Sequence, residues 1–100
     1  MDLAELTEEM RRRAGQNVKL GYKVKFVVDD GIIFWDGTDH PPAIDNEDKG
    51  DATTTITIAP ENLQKLMAGN LDPTLAYMTG KLKVEGSMGV ALKLTAMFAD

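Results

Sequence analysis

The hydrophobic period of this chain changes once, near Pro60, and that change constrains the fold more than any single motif. Up to Ile58 the apolar residues recur in twos. Val18, Leu20, Tyr22, Val24, Phe26 and Val28 share one face of an alternating run, with Lys19, Lys23 and Lys25 on the other. That pattern predicts a strand with one buried and one wet face. Asp29-Asp30-Gly31 reads as a hairpin turn, because Asp-Gly reaches positive φ cheaply. Ile32-Ile33-Phe34-Trp35 is the returning strand. A two-residue turn puts Ile33 and Trp35 on the buried face with Val28 and Phe26. Ile32 and Phe34 then face the other way and need cover, whereas a longer turn would reverse the assignment. Ala43-Ile44-Asp45 reads as a short edge strand after Pro41-Pro42. Ala52 to Ile58 alternates again and is rich in β-branched residues.

Beyond Ile58 the period is helical. Pro60 and Glu61 open a helix carrying Leu63, Leu66 and Met67, closed by Gly69. Asp72-Pro73 is an N-cap followed by a first-turn proline, with Gly80 as the stop. Lys81 to Glu85 returns to alternation as one more strand. Ser87 caps a last helix from about Met88 to Phe98. Residues 2–14 form an opening helix with Leu3, Leu6, Met10 and Ala14 at helical spacing. Glu8 and Glu9 precede Arg11, Arg12 and Arg13 by the spacing that pairs side chains, and the arginine run reads as a solvated helix end. The order is helix, four strands, two helices, strand, helix. Strands in a run followed by helices predict an α+β domain on a mostly antiparallel sheet.

Composition narrows the function classes. The chain has 100 residues, one His, one Ser and no Cys. A disulfide framework and thiolate metal sites are excluded. A Ser-His-Asp arrangement has almost nothing to draw on. Sixteen acidic against eleven basic residues leave a formal charge of −5, which argues against nucleic acid as a partner. No apolar run approaches the ~20 residues of a membrane span. The opening Met1-Asp2-Leu3-Ala4-Glu5 has no apolar signal region, so a cytoplasmic location is expected.

Eight of the acidic residues lie between Asp29 and Asp51. Asp45 to Asp51 places Gly50 at the sixth position of a calcium-loop pattern. Lys49 falls on a ligand position, however, and Ile56 where a bidentate Glu belongs. The segment reads as a solvated acidic loop, and His40 before Pro41 as exposed polar surface. No metal and no cofactor is expected. Gly86-Ser87-Met88-Gly89 lacks the lysine of a phosphate loop. Gly86 and the free N–H groups of the following helical turn could hold one anionic group.

The last helix stands out. After Gly89 only Lys93 and Thr95 interrupt Val90, Ala91, Leu92, Leu94, Ala96, Met97 and Phe98. A surface helix would carry a wider polar stripe. Four of the six methionines, Met67, Met78, Met88 and Met97, fall in this half. Unbranched thioether side chains suit irregular or exchangeable apolar partners. Gap-filling core with a dimer contact, and an internal cavity for a lipid-like ligand, both fit.

Residues 60–95 resemble the sterol carrier protein 2 domain family. The likeness rests on Gly69-Asn70-Leu71-Asp72-Pro73, on Met78-Thr79-Gly80-Lys81-Leu82-Lys83-Val84, and on Gly86-Ser87-Met88-Gly89-Val90-Ala91-Leu92-Lys93-Leu94. The upstream strands agree in order. The resemblance implies one lipid-binding domain over residues 1–100: a five-stranded, mostly antiparallel sheet covered on one face by helices, with an apolar tunnel between. It implies binding of fatty acid, fatty acyl-CoA, sterol or similar lipids without catalysis. The short first helix and the lack of a peroxisomal ending point to a free-standing, bacterial-like member.

The expected ligand is then a lipid or fatty-acyl chain. Its predicted lining is Phe26, Ile56, Leu66, Leu71, Leu75, Met78, Val84, Met88, Leu92 and Phe98, with Leu82 and Trp35 as further candidates. Gly86, Ser87, Gly89 and Lys93 are candidates for the headgroup. Transient membrane contact and a homodimer are compatible with this reading. The rival is an accessory or dimerisation module presenting a prenylated or other lipid substrate to partner enzymes. A pocket of at least about 300 Å³, kept empty at about 24 cal/mol per Å³, would cost about 7 kcal/mol. Whole domains hold only about 5–15 kcal/mol of stability. The chain is therefore expected to be lipid-filled, or collapsed and mobile in its last helix.

Overall fold

The computed structural model describes residues 2–14, 21–29, 31–39 and 42–98. Four helices, α1 (Leu3–Ala14), α2 (Pro60–Met67), α3 (Pro73–Met78) and α4 (Met88–Met97), accompany five strands. The strands are β1 (Lys23–Val28), β2 (Gly31–Asp36), β3 (Ala43–Asp45), β4 (Thr54–Ile58) and β5 (Leu82–Gly86). They form one open sheet in the order β3-β2-β1-β4-β5. All neighbours pair antiparallel except β1 and β4, which run parallel. This is the α+β fold expected, with one parallel pair in its centre. Gly15, His40 and the first part of the Val18–Val28 run lie outside the described residues.

The hairpin register is the one a two-residue turn dictates. Val28 pairs with Gly31, Phe26 with Ile33 and Val24 with Trp35. Asp29 sits at a φ of 51°, which a short polar side chain tolerates. Val24, Phe26, Ile33 and Trp35 are fully buried, and Ile56 joins them from β4. Tyr22, the next residue of that face, is exposed.

All four helices lie on this face. Leu6 and Met10 of α1, Leu63, Leu66 and Met67 of α2, Ala76 of α3, and Val90, Ala91 and Leu94 of α4 share one core with the strands. Asp72 caps α3 by accepting from Thr74 N at 2.8 Å and Leu75 N at 3.3 Å. Ser87 caps α4 by accepting from Val90 N at 3.2 Å. The accessible surface is 5514 Å², close to the ~5,600 Å² that area scaling gives a chain of this mass.

The opposite face explains the parallel pair. Phe34 points there and is nevertheless buried. It stands between Lys25 of β1 and Asp45 of β3 in register. The connection from β3 to β4 passes over β2 and β1 on this side, pinned by a 2.9 Å ion pair from Lys25 Nζ to Asp48. Such a crossover lets β4 run parallel to β1 without a helix. Lys49 is paired to Asp45 at 2.6 Å in the same segment.

The arginine run does more than end α1 in solvent. Arg11 donates through Nε (2.9 Å) and Nη2 (2.6 Å) to the carbonyl of Ile44, tying α1 to the edge strand. Arg13 donates to Phe98 O at 3.3 Å. Buried Thr7 is satisfied by donating to Leu3 O at 2.7 Å and accepting from Asn46, which also donates to Ile32 O.

Candidate functional site

The candidate site is the layer between the sheet and the last two helices. α4 crosses the sheet obliquely. It starts at Ser87, whose carbonyl accepts a 2.6 Å bond from buried Thr54 Oγ1 of β4. It ends at Phe98, whose ring meets Phe26 of β1 and Trp35 of β2 with centroids 6.3 Å away in each case. The Trp35 contact is edge-to-face, a favourable aromatic arrangement.

Of the predicted lining, Phe26, Ile56, Leu66 and Phe98 are fully buried in the common core. Leu71 and Val84 pack against it half-buried. Met88 and Leu92 are half-buried on α4. Leu75 and Met78 are not in the layer: on α3 they are 55% and 74% exposed. Leu82 and Trp35 are buried. Phe98, fully buried, stands against the Phe26 and Trp35 rings. A half-open depression of about 260 Å³ lies at the hairpin end, lined by Leu3, Leu6, Val28, Gly31 and Pro60 with Asp2 and Asp29. Residues of α1 were not anticipated there. Their helical spacing marked them only as core.

The Gly86–Gly89 segment is accounted for by local structure. Gly86 has a φ of 94°. A methyl there would press on the Thr53 carbonyl oxygen and stand 3.2 Å from Thr54 Cα. Ser87 spends its hydroxyl on the helix cap. Gly89 is exposed, with open space beyond Ser87 Oγ at 3.9 Å. Lys93 is exposed on α4.

The titrating groups with displaced values lie away from this layer. The Arg12 and Arg13 guanidinium groups hold Glu9 below the ordinary carboxylate range. Lys25 does the same for Asp48, and Lys49 for Asp45. Inside the layer the polar feature is different. Among the described residues, Trp35 Nε1 is a buried side-chain donor with no hydrogen-bond partner. Leaving such a donor unpaired costs about 1–3 kcal/mol. No helix of the described residues is long and apolar enough to cross a membrane.

Fold and layer together define a small α+β protein whose helices cover one face of an open sheet with an almost wholly apolar interior. The sequence profile of the SCP-2 sterol transfer family matches residues 5–99. The chain belongs to that family. It is 51% identical over 49 residues to sterol carrier protein 2 of Oryctolagus cuniculus, covering 49% of this chain and 9% of the relative. The chain thus spans about a tenth of the length of the curated relatives it matches. The fold superposes on palmitated SCP2L2 from Aedes aegypti with a TM-score of 0.77 at 18% identity, over 100% of this chain and 96% of that one. It superposes on a UbiJ-SCP2 ubiquinone synthesis protein with a TM-score of 0.73 at 18% identity, over 99% and 93%.

Proposed function

We propose that this chain binds a long apolar lipid chain between its sheet and α3–α4, and carries or presents it without chemistry of its own. The observation that carries this reading is the surplus of apolar surface on those two helices. The core takes up Val90, Ala91, Leu94 and Phe98. Met88, Leu92 and Met97 remain half-buried, and Leu75 and Met78 stand in solvent. A helix needs no such second set of apolar residues to cover a sheet. Fatty acid, fatty acyl-CoA and similar single-chain lipids fit a slot opened by an outward shift of α4. Leu75 and Met78 would then line its mouth, and Phe26, Ile56 and Leu66 its floor. That a fold of this kind accepts palmitate in an insect protein is consistent with the reading.

The test is native mass spectrometry with lipid extraction of freshly purified protein, followed by displacement of a fluorescent fatty acid. Co-purified lipid, or saturable one-to-one displacement, is expected. Absence of both overturns the proposal. A second reading, an accessory module that docks through α3, is favoured by the exposure of Leu75, Tyr77 and Met78 on one short helix. A tight dimer in sedimentation that binds no lipid would select it.

A further inference from the structure

Trp35 is the sole tryptophan of the chain. Its side chain is fully buried, and its Nε1–H has no partner among the described residues. Buried indole N–H groups normally find an acceptor, and an orphaned one in a native core calls for an explanation. The ring's partners are apolar: Val24 and Ile44 across the two ladders, and Phe98 edge-on. Phe98 follows the last residue of α4, so the group against the indole sits on a helix end.

We infer that the preferred ligand bears an uncharged oxygen (hydroxyl, ester or ketone) that takes the place of the Phe98 ring and accepts the Trp35 N–H. This rests on the carrier reading above and narrows its ligand class. The apolar part of the ligand replaces the burial that Phe98 gives up. The oxygen supplies the acceptor that the Trp35 N–H lacks among the described residues. A fatty acid would keep its carboxylate away from the indole, at the mouth of the slot. Arg13, the cation that reaches Phe98, is already engaged with Glu9 at 2.7 Å and with the Phe98 carbonyl. A second anion buried beside the indole would lack compensation.

The single tryptophan makes the test direct, because it gives one indole resonance in a ¹⁵N-labelled sample. The protein is titrated with 1-hexadecanol and with hexadecane, each delivered from cyclodextrin. Hexadecanol is expected to move the indole proton downfield and slow its exchange with water, and hexadecane to do neither. Hexadecanol should bind about tenfold tighter, the equivalent of about 1.4 kcal/mol. In Trp35→Phe that preference should shrink to about twofold or less. Equal binding of the two ligands with an unmoved indole resonance overturns the assignment and leaves the carrier reading standing. So does a preference that survives in Trp35→Phe. Binding of neither ligand overturns the assignment, and fatty-acid displacement decides the carrier reading separately. If Trp35→Phe does not fold, the parent's indole resonance decides alone.

Discussion

Replacing Gly86 with alanine separates structure from headgroup binding in the segment that most marks this chain. Gly86 ends β5 opposite Thr54 at a φ of 94°. An L-residue forced into left-handed backbone loses about 1–2 kcal/mol. The added methyl also meets backbone, the Thr53 carbonyl, rather than a side chain that could swing away. Relieving that contact pulls the ends of β4 and β5 apart. It strains the bonds from Ser87 N to Thr53 O at 3.3 Å and from Thr54 Oγ1 to Ser87 O. Thr54 is buried, so an unpaired hydroxyl adds about 1–3 kcal/mol. The total is about 2–5 kcal/mol, a large part of the stability of a domain this size. With a urea slope of about 1.5 kcal/mol per molar, the midpoint should fall by about 2 M. Gly89→Ala is the internal control. The position is open and helical, so alanine there should be neutral or stabilising by up to about 1 kcal/mol. Urea unfolding followed by Trp35 fluorescence measures both. The reasoning is refuted if Gly86→Ala unfolds within about 0.5 M of the parent, or if Gly89→Ala is the more damaging change.

Arg11→Ala should lower stability by about 1–2 kcal/mol in thermal unfolding, because a half-exposed charged donor to the Ile44 carbonyl is lost. Arg11→Lys should restore little, since an ammonium cannot reproduce the two-pronged contact. The double change Leu75→Ser with Met78→Ser should leave stability within about 0.5 kcal/mol, because both side chains are exposed. It should weaken displacement of a fluorescent fatty acid; unchanged displacement would remove α3 from the binding site. Acidification should loosen the β3–β4 crossover. Asp48 and Asp45 are held below the ordinary carboxylate range in the folded chain, so their contribution is complete above the unfolded value, about 3.9. It is lost as pH falls through their lower folded values. Limited proteolysis by pepsin should find the segment sooner as pH drops from 5 to about 2, and Asp48→Asn should already cleave faster at pH 5.

What could be read in the sequence was orientation, and what could not was partnership. The Asp-Gly turn fixed the hairpin register, and alternation then put Trp35 and Ile33 inside and Phe34 outside. The need to cover Phe34 was equally legible. That the segment after β3 returns to this side, where Lys25 pairs with Asp48, and that β4 then runs parallel to β1, depended on residues distant in the chain. Asp72 and Ser87 were legible as caps because capping is local. Arg11 and Arg13 looked like a solvated helix end because their true acceptors, the carbonyls of Ile44 and Phe98, lie 33 and 85 residues away. Leu75 and Met78 fell on a helix of six residues, too short for periodicity to tell its inner face from its outer one.

The filled interior bears on how a chain of this size can carry a ligand at all. An empty pocket of about 300 Å³ would forfeit about 7 kcal/mol. In this structure Phe98 lies within the layer, tilted against Phe26 and edge-to-face with Trp35. Collapse of this kind is incomplete in a specific way. It buries Phe26, Trp35 and Phe98 but leaves the Trp35 N–H with no partner among the described residues. A ligand of matching bulk then exchanges one apolar contact for another at little net change, and any acceptor it brings is gain. Between ligands of equal chain length, affinity in such a site is then set by whether an oxygen arrives where Phe98 has none. Phe98 caps the C-terminal end of α4 and fills part of the layer, so Phe98→Ala should bind lipid more tightly while unfolding more easily. A variant that lost both stability and binding would show that Phe98 belongs to the ligand's wall and not to its place.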